Sequence, residues 1–162
     1  GRPVYGGGGI TPDIFVPEDT TDFTSYYKEA VMSGLVLQFA FNYTDVNRPR
    51  LRTLTEMLDL AKYLQQQGLV EQFATFGSKN GLPRRNIMIR RSYHLLDRFI
   101  SSRIIYNMLD EQALVEYLNQ DDPVIEAAID VFRRHAAFPK KIDNSIKMAR
   151  QAKSVSRAKK KQ

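Results

Sequence analysis

Cysteine is absent from the 162 residues, which excludes disulfides, thiolate metal sites and a cysteine nucleophile, yet leaves the compartment open, since envelope and cytosolic proteins can both lack it. Histidine is scarce. The two, His94 and His135, lie far apart in sequence and neither belongs to a His-x-x-x-His or Glu-x-x-His pattern, so a histidine metal site or general base has little to build on. The longest apolar run, residues 31–43, is interrupted by Ser33, Gln38 and Asn42 and falls short of the ~20 apolar residues that a membrane span needs. The first residue is Gly1, and no charged stretch followed by an apolar one stands near it. The chain is therefore expected to be a fragment or processed piece of a longer protein, in which the missing signal carries no information.

What is present suits one ordinary core plus appendages: 43% of the residues are hydrophobic and 26% are charged. The net charge of +6 is unevenly held. From residue 135 to 162 there are nine Lys or Arg against one Asp, a net of +8, whereas the remainder has fifteen against seventeen, a net of −2. The basic character belongs to the tail, and a body near neutrality gives no support to a nucleic-acid-binding face on the folded part.

Near the start stands Gly6-Gly7-Gly8-Gly9-Ile10-Thr11-Pro12-Asp13, with Gly1-Arg2-Pro3-Val4-Tyr5 before it and Ile14-Phe15-Val16-Pro17 after it. Four successive glycines are costly to order and belong where a chain turns sharply or passes close to another backbone. The flanks are β-branched and aromatic, stopped by Pro12 and Pro17, and predict a short β-hairpin. A lone hairpin is marginal in water, so a sheet outside this chain is expected to complete it.

After Pro17 the pattern turns helical. Thr21 or Asp22 is expected to cap a first helix running to about Tyr43, with Phe23, Tyr27, Ala30, Val31, Gly34, Leu35 and Gln38 along it and an apolar second half, 31–41, that predicts a central position. Residues 44–49 read as a turn. A second helix is predicted over 53–67, with Leu54, Met57, Leu58, Ala61 and Leu64 on one face and Gly68 as its stop, and a short third over 70–76. Gly77 to Gly81 reads as a break. The longest helix is predicted over 84–108, with Met88, Leu95, Leu96, Phe99, Ile100, Ile104, Ile105 and Met108 inward and its arginines mostly outward. Residues 110–118 form another. Asp122-Pro123 is a restart signal for a last packed helix to about Arg134, burying Val124, Ile125, Ala128, Ile129 and Phe132. Beyond Ala136 a basic, marginally structured tail is expected, with Ile142, Ile146 and Ala149 giving at most a turn or two.

Several patterns invite chemistry and fail on their companions. No Gly-Lys-Ser/Thr follows the glycine run, and Ile10-Thr11-Pro12 cannot open a nucleotide-binding helix, so a structural turn is the better reading than a phosphate loop. Ser25-Tyr26-Tyr27-Lys28 has the Ser-x-x-Lys spacing of some acyl-enzyme hydrolases, but the Ser-Asp-Asn and Lys-Thr-Gly elements that accompany it are missing, and a solvated first helical turn explains it better. Asp121-Asp122 ahead of Pro123 is a cap rather than a carboxylate pair. The tyrosines at 26, 27, 43, 63, 93, 106 and 117 are spaced as core-edge aromatics, without the interleaved basic residues of a base-stacking surface. The tail's Lys140, Lys141, Lys147, Arg150, Lys153, Arg157 and Lys159 to Lys161 can attach to lipid head groups or nucleic acid, or serve only as a solvated terminus.

The segment from Gly1 to Ile14 resembles the closing strand motif of the carboxyl-terminal processing peptidases, the tail-specific proteases, in which a Gly-Arg followed by Gly-Ile-x-Pro-Asp comes after the catalytic residues. Gly1, Arg2, Gly8, Gly9, Ile10, Pro12 and Asp13 carry that motif here. The helical part, through Leu37-Gln38-Phe39-Ala40-Phe41-Asn42-Tyr43 and Asn119-Gln120-Asp121-Asp122-Pro123-Val124-Ile125, is similar to the extension carried by bacterial envelope members. Pro3 is a departure, because it must sit at a strand start or on an edge. The resemblance implies a serine endopeptidase with a Ser/Lys dyad, usually with a PDZ domain, in the periplasm or cell envelope. Nucleophile, base and PDZ domain would all precede Gly1, so it assigns this chain no catalytic, cofactor-binding or metal residue and no cofactor.

The expected architecture is mainly α: terminal strands of a protease core over 1–20, an α-helical module over 21–135 and a basic tail over 136–162. The expected partners are the upstream core of the same polypeptide, the parent enzyme's protein or peptide substrates, and a second copy. The rival is a non-enzymatic helical interaction module whose basic tail binds nucleic acid or an anionic membrane.

Overall fold

In the computed structural model the described residues are 14–134, and among them lie eight α-helices and no strand. They are α1 (Ser25–Met32), α2 (Leu35–Leu51), α3 (Met57–Gln65), α4 (Leu69–Lys79), α5 (Asn86–Arg91), α6 (Tyr93–Met108), α7 (Glu111–Asn119) and α8 (Pro123–Arg133). The chain is thus mainly helical, as its periodicity predicts. The first flank of the expected hairpin, the glycine run and the motif residues Gly1, Arg2, Gly8, Gly9, Ile10, Pro12 and Asp13 lie outside the described residues, as do His135 and the basic tail; the second flank, residues 14–16, is described and forms no strand. The chain divides into two compact units, residues 1–123 and 124–162.

In the first unit, α2 and α6 form the central pair, and α6 also packs against α3, α4, α5 and α7. The pairing is apolar. Val36, Phe39 and Ala40 of α2, Leu60 and Leu64 of α3, Phe73 of α4, and Leu96, Ile100, Ile104 and Ile105 of α6 share one buried cluster, and each large side chain among them contributes roughly 2 kcal/mol on burial. Phe39 anchors it through edge-on and tilted contacts with Phe73 and Phe76, both at 5.7 Å between centroids.

The first predicted helix is two. Gly34, at φ 73°, takes a left-handed conformation that is cheap for glycine alone, and the chain breaks there between α1 and α2. The cap of α1 is Thr24, whose hydroxyl accepts from the Tyr27 amide at 3.2 Å, rather than Thr21 or Asp22. The Thr21 amide and hydroxyl are engaged by the Asp19 carboxylate at 2.9 and 2.7 Å. The buried side of α1 is Tyr26 and Ala30, while Phe23 is exposed.

The turn expected over 44–49 is instead the last part of α2. Thr44 and Asn47, residues that compete with helices elsewhere, bond back to the carbonyls of Ala40 (2.7 Å) and Tyr43 (2.8 Å). Pro49 falls in the final turn, where its missing N–H removes a single bond. The apolar stretch 31–41 is two-sided: Val36, Phe39 and Ala40 are buried, whereas Met32, Leu37 and Phe41 face out.

Further on, α3 starts only at Met57, and Leu60 replaces Leu58 on its buried face. Gly68, at φ 62°, divides α3 from α4, which runs through Gly77 and Ser78 to Lys79 rather than stopping at 76. The long helix predicted over 84–108 is α5 and α6, broken at Ser92. That buried residue sits at φ −94°, ψ 19°, and its hydroxyl donates to the Met88 carbonyl at 2.8 Å. Leu96, Ile100, Ile104 and Ile105 of α6 are buried, as expected. Asp110 caps α7 through the Ala113 amide at 2.8 Å.

The described part of the second unit, residues 124–134, carries all of α8 but its first residue. That helix starts at Pro123 as predicted, but none of its residues is buried; Val124, Ile129 and Phe132, expected in the core, are exposed. An apolar stripe says which face is greasy, not whether anything covers it.

Candidate functional site

A polar seam within the first unit joins α1 to the start of α5. Arg85 donates to the Glu29 carboxylate at 2.8 Å and reaches the Ser25 hydroxyl at 3.3 Å, and the Glu29 contact pushes the Arg85 pKa further up. Ser25 in turn donates to the Met88 sulfur at 3.3 Å. One residue earlier, Arg84 meets Glu71 of α4 at 2.5 Å. At the far end, Arg91 bonds the Thr21 carbonyl, and the Thr24 and Ser92 hydroxyls lie 3.1 Å apart.

This arrangement bears on the Ser-x-x-Lys pair. A serine nucleophile needs its base within hydrogen-bond reach, but the Ser25 Oγ is shared between a permanently charged guanidinium and a thioether. Neither takes a proton. Lys28 lines a cavity of about 540 Å³ together with Glu29, Met32, Leu35, Asn80 and Leu82. The pair is a helix-start serine and a surface lysine.

Beneath the seam, Tyr26 is fully buried and its hydroxyl has no hydrogen-bond partner among the described residues. Burial pushes its phenol above the usual tyrosine range. Gly77 of α4 passes close by: a Cβ there would stand in ordinary van der Waals contact with Leu82 at 3.4 Å and with the Tyr26 oxygen at 3.7 Å. Of the residues that the sequence pattern groups along this helix, Ala30 is buried, Tyr27 packs half-buried against the core and Phe23 is exposed, whereas Tyr26, fully buried at i, i+4 from Ala30, is the one the pattern misses.

A second polar group sits where α6 meets α7. Arg98 bonds the carbonyls of Leu118 and, at 3.1 Å, Asp121, closing the C-terminal end of α7 with a cation where the helix dipole favours one. Asp97, half-buried beside it, has its carboxyl pushed up by burial, an effect partly offset by the charge of exposed His94. Arg103 lays its guanidinium over the Phe99 ring at 5.0 Å. Along α7 an open trough is lined by Glu111, Val115, Glu116 and Asn119; it is a helix face rather than an enclosed pocket.

Of the other residues singled out in the sequence, Asp121 lends its main-chain carbonyl to Arg98. The described tyrosines are dispersed over α1, α2, α3, α6 and α7. Among the described residues no group of three or more acidic or histidine side chains is placed to hold a metal ion, and no helix is long and apolar enough to cross a membrane.

No curated protein and no solved structure is significantly similar to the chain. Residues 26–110, from the buried Tyr26 to the Asp110 cap, match the model of a family of unknown function (DUF8443), which spans more than half of the chain; the protein belongs to that family.

Proposed function

We propose that this chain is the C-terminal part of a serine endopeptidase of the tail-specific type, whose Ser/Lys dyad lies upstream, and that α1 to α7 form a helical module seated on the flank of the peptidase core. The observation that carries the reading is the lead-in. Ile14 and Phe15, at 52% and 79% exposure, precede the first helix without joining any helix or strand among the described residues, and they follow directly on the motif that resembles the end of the core. Apolar β-formers left open at this point suit a strand whose neighbours belong to the preceding domain. Met32, Leu37 and Phe41, outward on α1 and α2, supply an apolar surface for the same core. Seated there, the module shapes substrate access or self-association in the envelope.

The direct test is the coding sequence upstream of Gly1, in which a peptidase core with serine and lysine is expected. With that longer protein in hand, removal of residues 21–162 is expected to change activity, stability or oligomeric state; a truncated enzyme unaltered in all three would sink the module's role. The isolated chain is expected to hydrolyse nothing. Peptide cleavage abolished by Ser25→Ala would overturn the placement of the dyad upstream.

A further inference from the structure

We propose that α8 and the basic segment behind it form a membrane-surface anchor, in which α8 lies along an anionic phospholipid bilayer with Ile129 and Phe132 dipped between the head groups. This stands apart from the peptidase reading. Its first ground is that α8 is sharply two-faced: Val124, Ala128, Ile129 and Phe132 fall within one arc, and Glu126, Asp130, Arg133 and Arg134 fall opposite. Ile129 is 44% exposed and Phe132 is 68% exposed, and no residue of the helix is buried. Ile125, Ala127 and Val131 are partly covered, so the open part of the stripe is the edge formed by Ile129 and Phe132.

The second ground is charge, and it names that partner. From residue 135 onward the sequence carries nine lysines and arginines against one aspartate. Each such cation near an anionic bilayer adds attraction that falls off within a Debye length. Neither feature suffices alone, since single weak anchors bind membranes reversibly and two together hold. The eleven residues of α8 reach about 16 Å at the usual rise, far less than a span, so the helix lies on the surface. Its acidic residues, Glu126 and Asp130, then face water rather than lipid.

Nucleic acid is also polyanionic, but it has no use for an isoleucine and phenylalanine stripe. Residues 140–162 contain no aromatic side chain with which to stack on bases. Within that segment Ile142, Ile146 and Ala149 continue the three- and four-residue apolar spacing among the lysines.

The chain contains no tryptophan, so Phe132→Trp installs a single fluorescent reporter in the stripe. With the full chain, emission is expected to shift to the blue on vesicles of phosphatidylcholine with phosphatidylglycerol, to be quenched by brominated lipid, and to stay unchanged on phosphatidylcholine alone. Vesicle co-sedimentation is expected to fall about tenfold or more for the Ile129→Asp, Phe132→Asp double variant, and to be lost at high salt or on removal of residues 140–162. Circular dichroism of the double variant is expected to match the parent, because the changed residues are exposed. A double variant that sediments like the parent, reporter emission that does not move on vesicles the chain has bound, or equal binding to neutral vesicles would each overturn the anchor. So would short duplex DNA that is bound while anionic vesicles are not.

Discussion

The helices α6 and α8 are built from similar apolar residues and end in opposite conditions. In α6, Leu96, Ile100, Ile104 and Ile105 are completely buried; in α8, Ile129 and Phe132 stand in solvent. Sequence periodicity rates α8 the better amphipathic helix, because α6 is surrounded by neighbours and its apolar residues spread round much of its girth. Amphipathicity measures how one-sided a helix is, and a central helix is not one-sided. A clean stripe therefore reports one-sidedness and not burial.

The sharpest way to break this contrast is a matched pair of truncations. Phe73→Ala, in the buried cluster, is expected to cost about 3–5 kcal/mol of unfolding free energy, whereas Phe132→Ala is expected to stay within about 0.5 kcal/mol; urea denaturation of both variants reads the difference. Equal losses would mean that α8 packs as α6 does.

Alkaline pH probes the packed region through its phenols. Burial pushes Tyr43 up to about 12, so the folded state retains a proton that the unfolded chain gives up at the ordinary tyrosine value of 10.0. Stability is then expected to be level below that value and to fall as pH rises through the interval, by up to about 3 kcal/mol. Thermal melts between neutral and alkaline pH, with Tyr43→Phe flattening part of the decline, provide the check.

Smaller effects belong to the α6–α7 junction. Arg98→Ala removes the bonds to the Leu118 and Asp121 carbonyls and is expected to cost about 1–2 kcal/mol, with amide exchange accelerating at the end of α7 before anywhere in α6. Asp97→Asn is the smallest and has the opposite sign. The folded carboxyl is raised by burial, so the native state binds the proton more tightly than the unfolded one, and stability falls as pH rises from the unfolded value through the raised one. The amide has no charge to desolvate. A modest gain in Tm at neutral pH, vanishing in acid, is the expected result.

Much of the helical fold is legible in the sequence. The inward face of α6, the Gly68 division and the restart at Pro123 follow from period and punctuation. What is not legible depends on how side chains resolve local competition. Thr44 and Asn47 have the chemistry of turn residues and serve as props for the carbonyls of their own helix. Gly34 reads as one more apolar position and is a break, since sequence does not say which glycine will take a positive φ. Of the polar seam, Ser25 and Lys28 stand out through their spacing, yet Ser25 is held by Arg85, sixty residues away, a pairing that no local pattern announces. The stripe of α8 is plain from its spacing, whereas its exposure is not, because spacing carries no information about what lies opposite.

The position of α6 has a consequence for how the module comes apart. Because it touches α2, α3, α4, α5 and α7, no one of those helices can detach without opening a wall of the same apolar cluster. Loss of any neighbour exposes α6, and exposure of α6 removes the support of the rest. The first unit is accordingly expected to melt in a single step, with its slowest-exchanging amides in the middle of α6, near Ile100 and Ile104.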